Sequence, residues 1–139
     1  MVINRQRRIP VAIGPLESFL DRARRALHLD GRETTVCLVS NREMARMNSA
    51  FRGKRGPTDV LSFPAGRAGP VGSSAYLGDI AIAPETARRN ARRYSRALAQ
   101  ELRVLVLHGM LHLAGYDHET DRGRMERLER RLRRKLGLS

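Results

Sequence analysis

Three of the chain's four histidines fall within eleven residues, at His108, His112 and His118. Neutral imidazole is a common metal ligand, and three converging on one point make a zinc site whose fourth position stays open to water. An open position marks a catalytic rather than a structural metal, because zinc lowers the pKa of a bound water from about 15.7 to about 7. His108 and His112 are four residues apart on an expected helix and so share one face. Gly115 then allows the chain to reverse, bringing His118 back toward the pair. Histidines that only hydrogen-bond or face solvent are the bland alternative, and His28, alone on the polar side of an early helix, fits it. Three at H-x3-H-x5-H spacing with an intervening glycine do not.

The string from His108 to His118 also matches most of the metzincin protease signature H-E-x-x-H-x-x-G-x-x-H. All three ligand positions and the glycine agree. The glutamate does not, since Gly109 stands in its place. Peptide hydrolysis must activate water and protonate a leaving amine, work that this glutamate normally does. The metal geometry therefore survives while peptidase chemistry is put in doubt. A phosphodiester suits the site better. Its transition state gains negative charge that a metal and an arginine can neutralise, and RNA brings its own 2′-hydroxyl as a nucleophile.

The elements that must position these residues can be read from periodicity. Pro15 opens a helix over about 16–28 carrying Leu16, Phe19, Leu20, Ala23 and Leu27, and Gly31 closes that region. Thr34 to Val39 reads as a strand. Ser40 and Glu43 form a capping-box pair at the start of a helix with Met44 and Met47. Val60 to Phe63 is a second strand stopped by Pro64, and Leu77 to Ala83 a third; residues 65–75 between them read as a flexible loop. Helices are expected from Pro84 to about Tyr94, from Leu98 to Ala114, and over about 121–137 with Met125, Leu128, Leu132 and Leu136 on one face. The order indicates one α/β or α+β domain over 1–139, a small mixed sheet covered by helices.

Composition narrows the partners. The 139 residues carry a net charge of +13, which favours polyanions, nucleic acid first and anionic membrane second. Trp is absent and Tyr and Phe are few, so no aromatic platform for bases is evident. No apolar run approaches the ~20 residues of a membrane span. The basic start is followed by no apolar segment, so no secretory leader is expected. Cys37 is the single cysteine, which excludes an internal disulfide and fits a reducing compartment such as the cytoplasm.

The string H-G-M-L-H-L-A-G-Y-D-H resembles the signature of the YbeY family, bacterial ribosomal-RNA maturation factors with endoribonuclease activity. Two further segments match in the family's order: Phe51-Arg52-Gly53-Lys54 with Thr58 to Pro64, and Gly78-Asp79-Ile80 before Pro84. The resemblance implies a mixed four-stranded sheet with surrounding helices and zinc held by His108, His112 and His118. It implies Arg52 as the functional arginine near the metal. It also implies single-strand-specific cleavage in maturing the small-subunit rRNA 3′ end, ribosome quality control, and work on or near the small ribosomal subunit or its proteins. Two other classes stay open: a metallopeptidase with its base supplied from elsewhere, and a non-catalytic RNA-binding assembly factor with a structural zinc.

Other polar residues have two readings each. Asp59 and Ser62 either bond backbone at a strand entry or serve the site. Asp79 either orients an imidazole or serves a strand-end turn. Asp117 follows the helix stop as a turn residue. Glu101, seven residues before His108, is expected to pair with an arginine. Arg88, Arg89, Arg92, Arg93 and Arg96 crowd one segment with no acid among them, and residues 119–139 hold eight Lys or Arg against four acids. Beside an RNA-cleaving site, such runs read as tracking phosphates.

The spacing sets a stoichiometry. Purified protein is expected to hold about one zinc per chain by elemental analysis, and His112→Ala to lose it with the fold largely kept. Full occupancy in that variant would dismiss the ligand assignment.

Overall fold

The computed structural model describes residues 1–65, 76–116 and 121–138. Among these, four strands and five helices follow one another: β1 (Val2–Asn4), α1 (Ile13–Ala26), β2 (Glu33–Leu38), α2 (Asn41–Arg52), β3 (Val60–Pro64), β4 (Tyr76–Ile82), α3 (Pro84–Arg93), α4 (Leu98–Leu113) and α5 (Arg124–Lys135). The sheet order is β1-β2-β4-β3. β1, β2 and β4 run parallel, and β3 pairs antiparallel with β4 on one edge, so the sheet is mixed, as expected.

Strand alternation sorts the two faces. Val36, Leu38, Ile80 and Ile82 enter the main core with Leu16, Phe19 and Leu20 of α1, most of α4, and Met125 and Leu132 of α5. Val39, Leu61 and Ala81 form a smaller cluster with Met44 of α2, backed by Cys37, Met47 and Phe63. The capping pair is half formed. Ser40 Oγ accepts from the Glu43 amide at 3.1 Å, while the Glu43 carboxylate turns to Arg5 at 3.3 Å. No helix among the described residues is long and apolar enough to cross a membrane.

The third, fourth and fifth expected helices and all three expected strands are present within a few residues of their predicted ends. β1 was not foreseen. It is three residues long with Val2 alone buried, too short to show a period, and its pairing with β2 defines it. Residues 66–75, most of the expected loop, lie outside the described residues.

α4 is the central helix. Leu102, Leu105, Val106, Leu107, Met110 and Leu111 are all buried. It lies very close to β4: a Cβ built on Gly109 would stand 2.9 Å from Ile80 Cγ2 and 3.0 Å from Cδ1. One turn away in space, Ser62 Oγ of β3 donates to the Gly109 carbonyl at 3.2 Å. After the helix, Gly115 adopts φ 100°, the positive φ expected of a glycine that stops a helix; the return of His118 expected beyond it lies outside the described residues.

Ile80 is fully buried and β-branched, so it has little room to yield. Gly109→Ala gains up to about 1 kcal/mol of helix propensity. Overpacking against Ile80 costs about 1–3 kcal/mol. The net expectation is a loss of roughly 1–2 kcal/mol in urea denaturation, partly recovered by Ile80→Val in the same chain. Parental stability in Gly109→Ala alone would show that the close approach is not required.

Candidate metal centre and substrate cleft

His108 and His112 lie one turn apart on α4, both half-buried, with their Nε2 atoms 3.1 Å apart and their rings 4.7 Å apart edge to face. Two imidazole nitrogens bound to one tetrahedral zinc at ~2.0–2.1 Å would be about 3.3 Å apart, so the pair fits a shared ion. The other side of His108 is fixed from α5. Its Nδ1 lies 2.9 Å from Glu129 Oε1. With the proton on Nδ1 donated to that carboxylate, Nε2 presents its lone pair toward His112, the arrangement that orients histidine ligands at metal sites. Burial by itself would raise the Glu129 carboxyl. The His108 hydrogen bond and the positive fields of His108, Arg133 and His112 outweigh that and hold it below the ordinary carboxylate value. The third expected ligand, His118, and Asp117 lie outside the described residues. Among the described residues no three potential ligands gather.

The histidine pair opens into a cleft of about 760 Å³ that runs along edge strand β3. Arg52 and Phe51, at the end of α2, line it together with His108 and His112, so Arg52 shares one cleft with the histidine pair. Phe51 is 70% exposed, its ring 4.9 Å from Phe63 in an edge contact. A second cavity of about 340 Å³ lies behind His108 and shares His108, Asp59 and Val60 with the cleft.

The remaining candidates sort clearly. Ser62 lines the cleft while tying β3 to α4. Asp59 also lines it, but its Oδ2 accepts from Asn90 Nδ2 at 3.0 Å and its carbonyl from the Ala83 amide at 3.0 Å, anchoring β3 to α3. Glu101 is buried and paired with Arg96 at 2.7 Å, the pairing its position led us to expect. Asp79 is not near the histidines. It is exposed in mid-strand, accepts a hydrogen bond from the Tyr76 hydroxyl, and lines a separate cavity with Cys37. Neither of its two expected roles, imidazole orientation or a strand-end turn, describes that place. Glu129 was missed: it is one of two acids in a basic helix, with Glu126, and nothing in the sequence shows which of them meets a histidine. Phe51 stood out in sequence only within the family-matching segment Phe51 to Lys54, and its place in the cleft was missed.

Gly109 explains the departure from the protease signature. The position that a peptidase gives its glutamate is here buried against Ile80. No carboxylate fits there.

An α+β domain with paired helix histidines in an open, arginine-lined cleft thus defines the class. The family model described as Endoribonuclease YbeY matches residues 4–137. The Endoribonuclease YbeY of Koribacter versatilis is 44% identical over 138 residues, covering 99% of this chain and 86% of that protein. That of Solibacter usitatus is 45% identical over 123 residues, covering 88% of this chain and 78% of its own. The solution structure of a Thermotoga maritima protein superposes with a TM-score of 0.58 at 28% identity, over 98% of this chain and 89% of that one. The chain belongs to the YbeY endoribonuclease family.

The Glu129 contact makes a prediction. Glu129→Gln keeps a hydrogen-bond acceptor but loses the charge that raises ligand basicity, and zinc affinity by chelator competition should fall about 10–100-fold. Because the carboxyl is held low in the fold, its stabilising pair is present above the ordinary carboxylate range and lost as pH falls through the lowered value. An unchanged zinc affinity would detach Glu129 from the site.

Proposed function

We propose that this protein is a zinc-dependent endoribonuclease acting on single-stranded RNA in ribosomal-RNA maturation, at the 3′ end of small-subunit rRNA and in ribosome quality control, in the cytoplasm. Partners on this reading are ribosomal RNA and the small ribosomal subunit or its proteins. One observation carries the reading. Two histidine nitrogens 3.1 Å apart share an open cleft with Arg52, in a chain whose relatives are named endoribonucleases.

His108, His112 and His118 would hold the zinc, which supplies Lewis acidity toward a phosphodiester when bound. Glu129 holds the His108 tautomer. Arg52, in the same cleft, neutralises charge on the scissile phosphate with a planar fork that lysine cannot copy. The cleft is long and open along β3, which suits an extended strand better than a duplex. The surplus of +13 supplies sequence-independent attraction to the backbone.

The test uses a defined single-stranded RNA, the same sequence as duplex, and a casein-type peptide. Cleavage of the single strand is expected, with little of the duplex and none of the peptide. Arg52→Ala should lower cleavage with zinc content unchanged, and Arg52→Lys should rescue in part. Affinity should fall with salt by about 0.7 log units per neutralised phosphate for each tenfold rise. Zinc-dependent peptide cleavage lost in His112→Ala would replace the nuclease reading with a peptidase.

A further inference from the structure

We propose that the cavity beside His108, lined by Tyr94, Arg96 and Arg133, is a nucleobase subsite that takes a base next to the phosphate held at Arg52. It rests on the nuclease reading and adds to it where the strand is gripped.

The cavity of about 340 Å³ adjoins the cleft across His108, Asp59 and Val60, so a chain passing the histidines runs from one into the other. Its lining suits a base rather than a phosphate. Val60, Val104 and Leu105 offer apolar surface for a ring face. Three acids line it, and each is already engaged: Asp59 by Asn90, Glu101 by Arg96 and Glu129 by His108. An added anion would face those carboxylates, whereas a neutral base with a polar edge would not be repelled. Arg133 also lines it, and its buried Nε has no hydrogen-bond partner among the described residues.

Tyr94 is the aromatic wall. It ends α3, is 59% exposed, and makes no core contact that would require its size. Arg96 holds it in place: the guanidinium lies 5.4 Å from the ring centre and is itself fixed by buried Glu101. A largely exposed ring braced by a cation, in the wall of a cavity, can stack a base. Phe51 is exposed and lines the cleft with His108 and His112, so each of the two adjoining cavities carries one exposed aromatic. Beyond Tyr94, the exposed Arg89, Arg92 and Arg93 of α3 continue the path with positive charge.

The experiment measures binding of a labelled 2′-O-methyl oligonucleotide by anisotropy, and cleavage of the unmodified strand in parallel. Tyr94→Ala is expected to weaken binding about tenfold and to raise KM with kcat largely kept, whereas Tyr94→Phe stays within about twofold of the parent. An abasic nucleotide is then walked along the strand. At one position beside the cut it should weaken the parent but not Tyr94→Ala, since the contact it removes is already gone. Equal binding by Tyr94→Ala with melting unchanged, or an abasic penalty that is the same in both proteins at every position, overturns the subsite. Tyr94-dependent binding with no cleavage by the parent overturns the nuclease reading and leaves the subsite standing. A parent that binds no RNA overturns both.

Discussion

The approach of α4 onto β4 at Gly109 is the constraint on which the rest of the molecule depends. With no side chain at 109, the helix sits directly on Ile80, and Ser62 can reach the Gly109 carbonyl from the neighbouring strand. That seating fixes the height and rotation of α4 over the sheet. Since residues four apart share a face, His108 and His112 are then carried together to the edge where β3 has no further strand. A larger residue at 109 would lift the helix and move both imidazoles. The same packing that builds the core therefore aims the site. It also leaves no room at that position for the glutamate of the protease signature, because the position is used up as a contact.

The C-terminal helix is tied to the site by a different interaction. Leu132 and Met125 anchor α5 in the core, and Glu129 on its adjoining face meets His108. A shift of α5 would cost both apolar burial and the carboxylate that sets the tautomer. The polar interior is organised on the same plan. Buried Glu101 braces Arg96 and Arg96 braces Tyr94, while half-buried Asp59 is held by Asn90.

How much of this was legible in sequence follows from how local each signal is. Helix periodicity placed α3, α4 and α5, and it put His108 and His112 on one face, because that geometry spans a single turn. Gly115 marked the end of α4 because a glycine there can take the positive φ that the structure shows. Glu101 found its arginine because the two lie five residues apart. Long-range contacts left no trace. Glu129 is 21 residues from His108, and nothing in a run of arginines marks which acid turns inward. Gly109 read as a lost glutamate until Ile80 gave it a reason. β1 is defined by a partner 34 residues away, Val36 opposite Val2. The paucity of aromatics suggested that none served bases, yet two of the few are exposed beside the histidines. Number in the chain says little about placement on the surface.

The distribution of charge makes the last link between fold and function. Acids inside the two cavities are paired to neighbours in the protein, and arginines outside them largely face solvent. A strand drawn in by the outer arginines would meet a cleft whose one acid among its described lining residues, Asp59, is anchored to α3 and poorly placed to take a proton. On the proposed reading, the described protein groups then bind, orient and neutralise. Arg52 faces the phosphate, Glu129 steadies a ligand, and the aromatics hold bases. The demand for a nucleophile falls on the substrate's own hydroxyl or on solvent, and the shortage of a protein base becomes a consequence of how tightly β3, α3 and α4 are tied together.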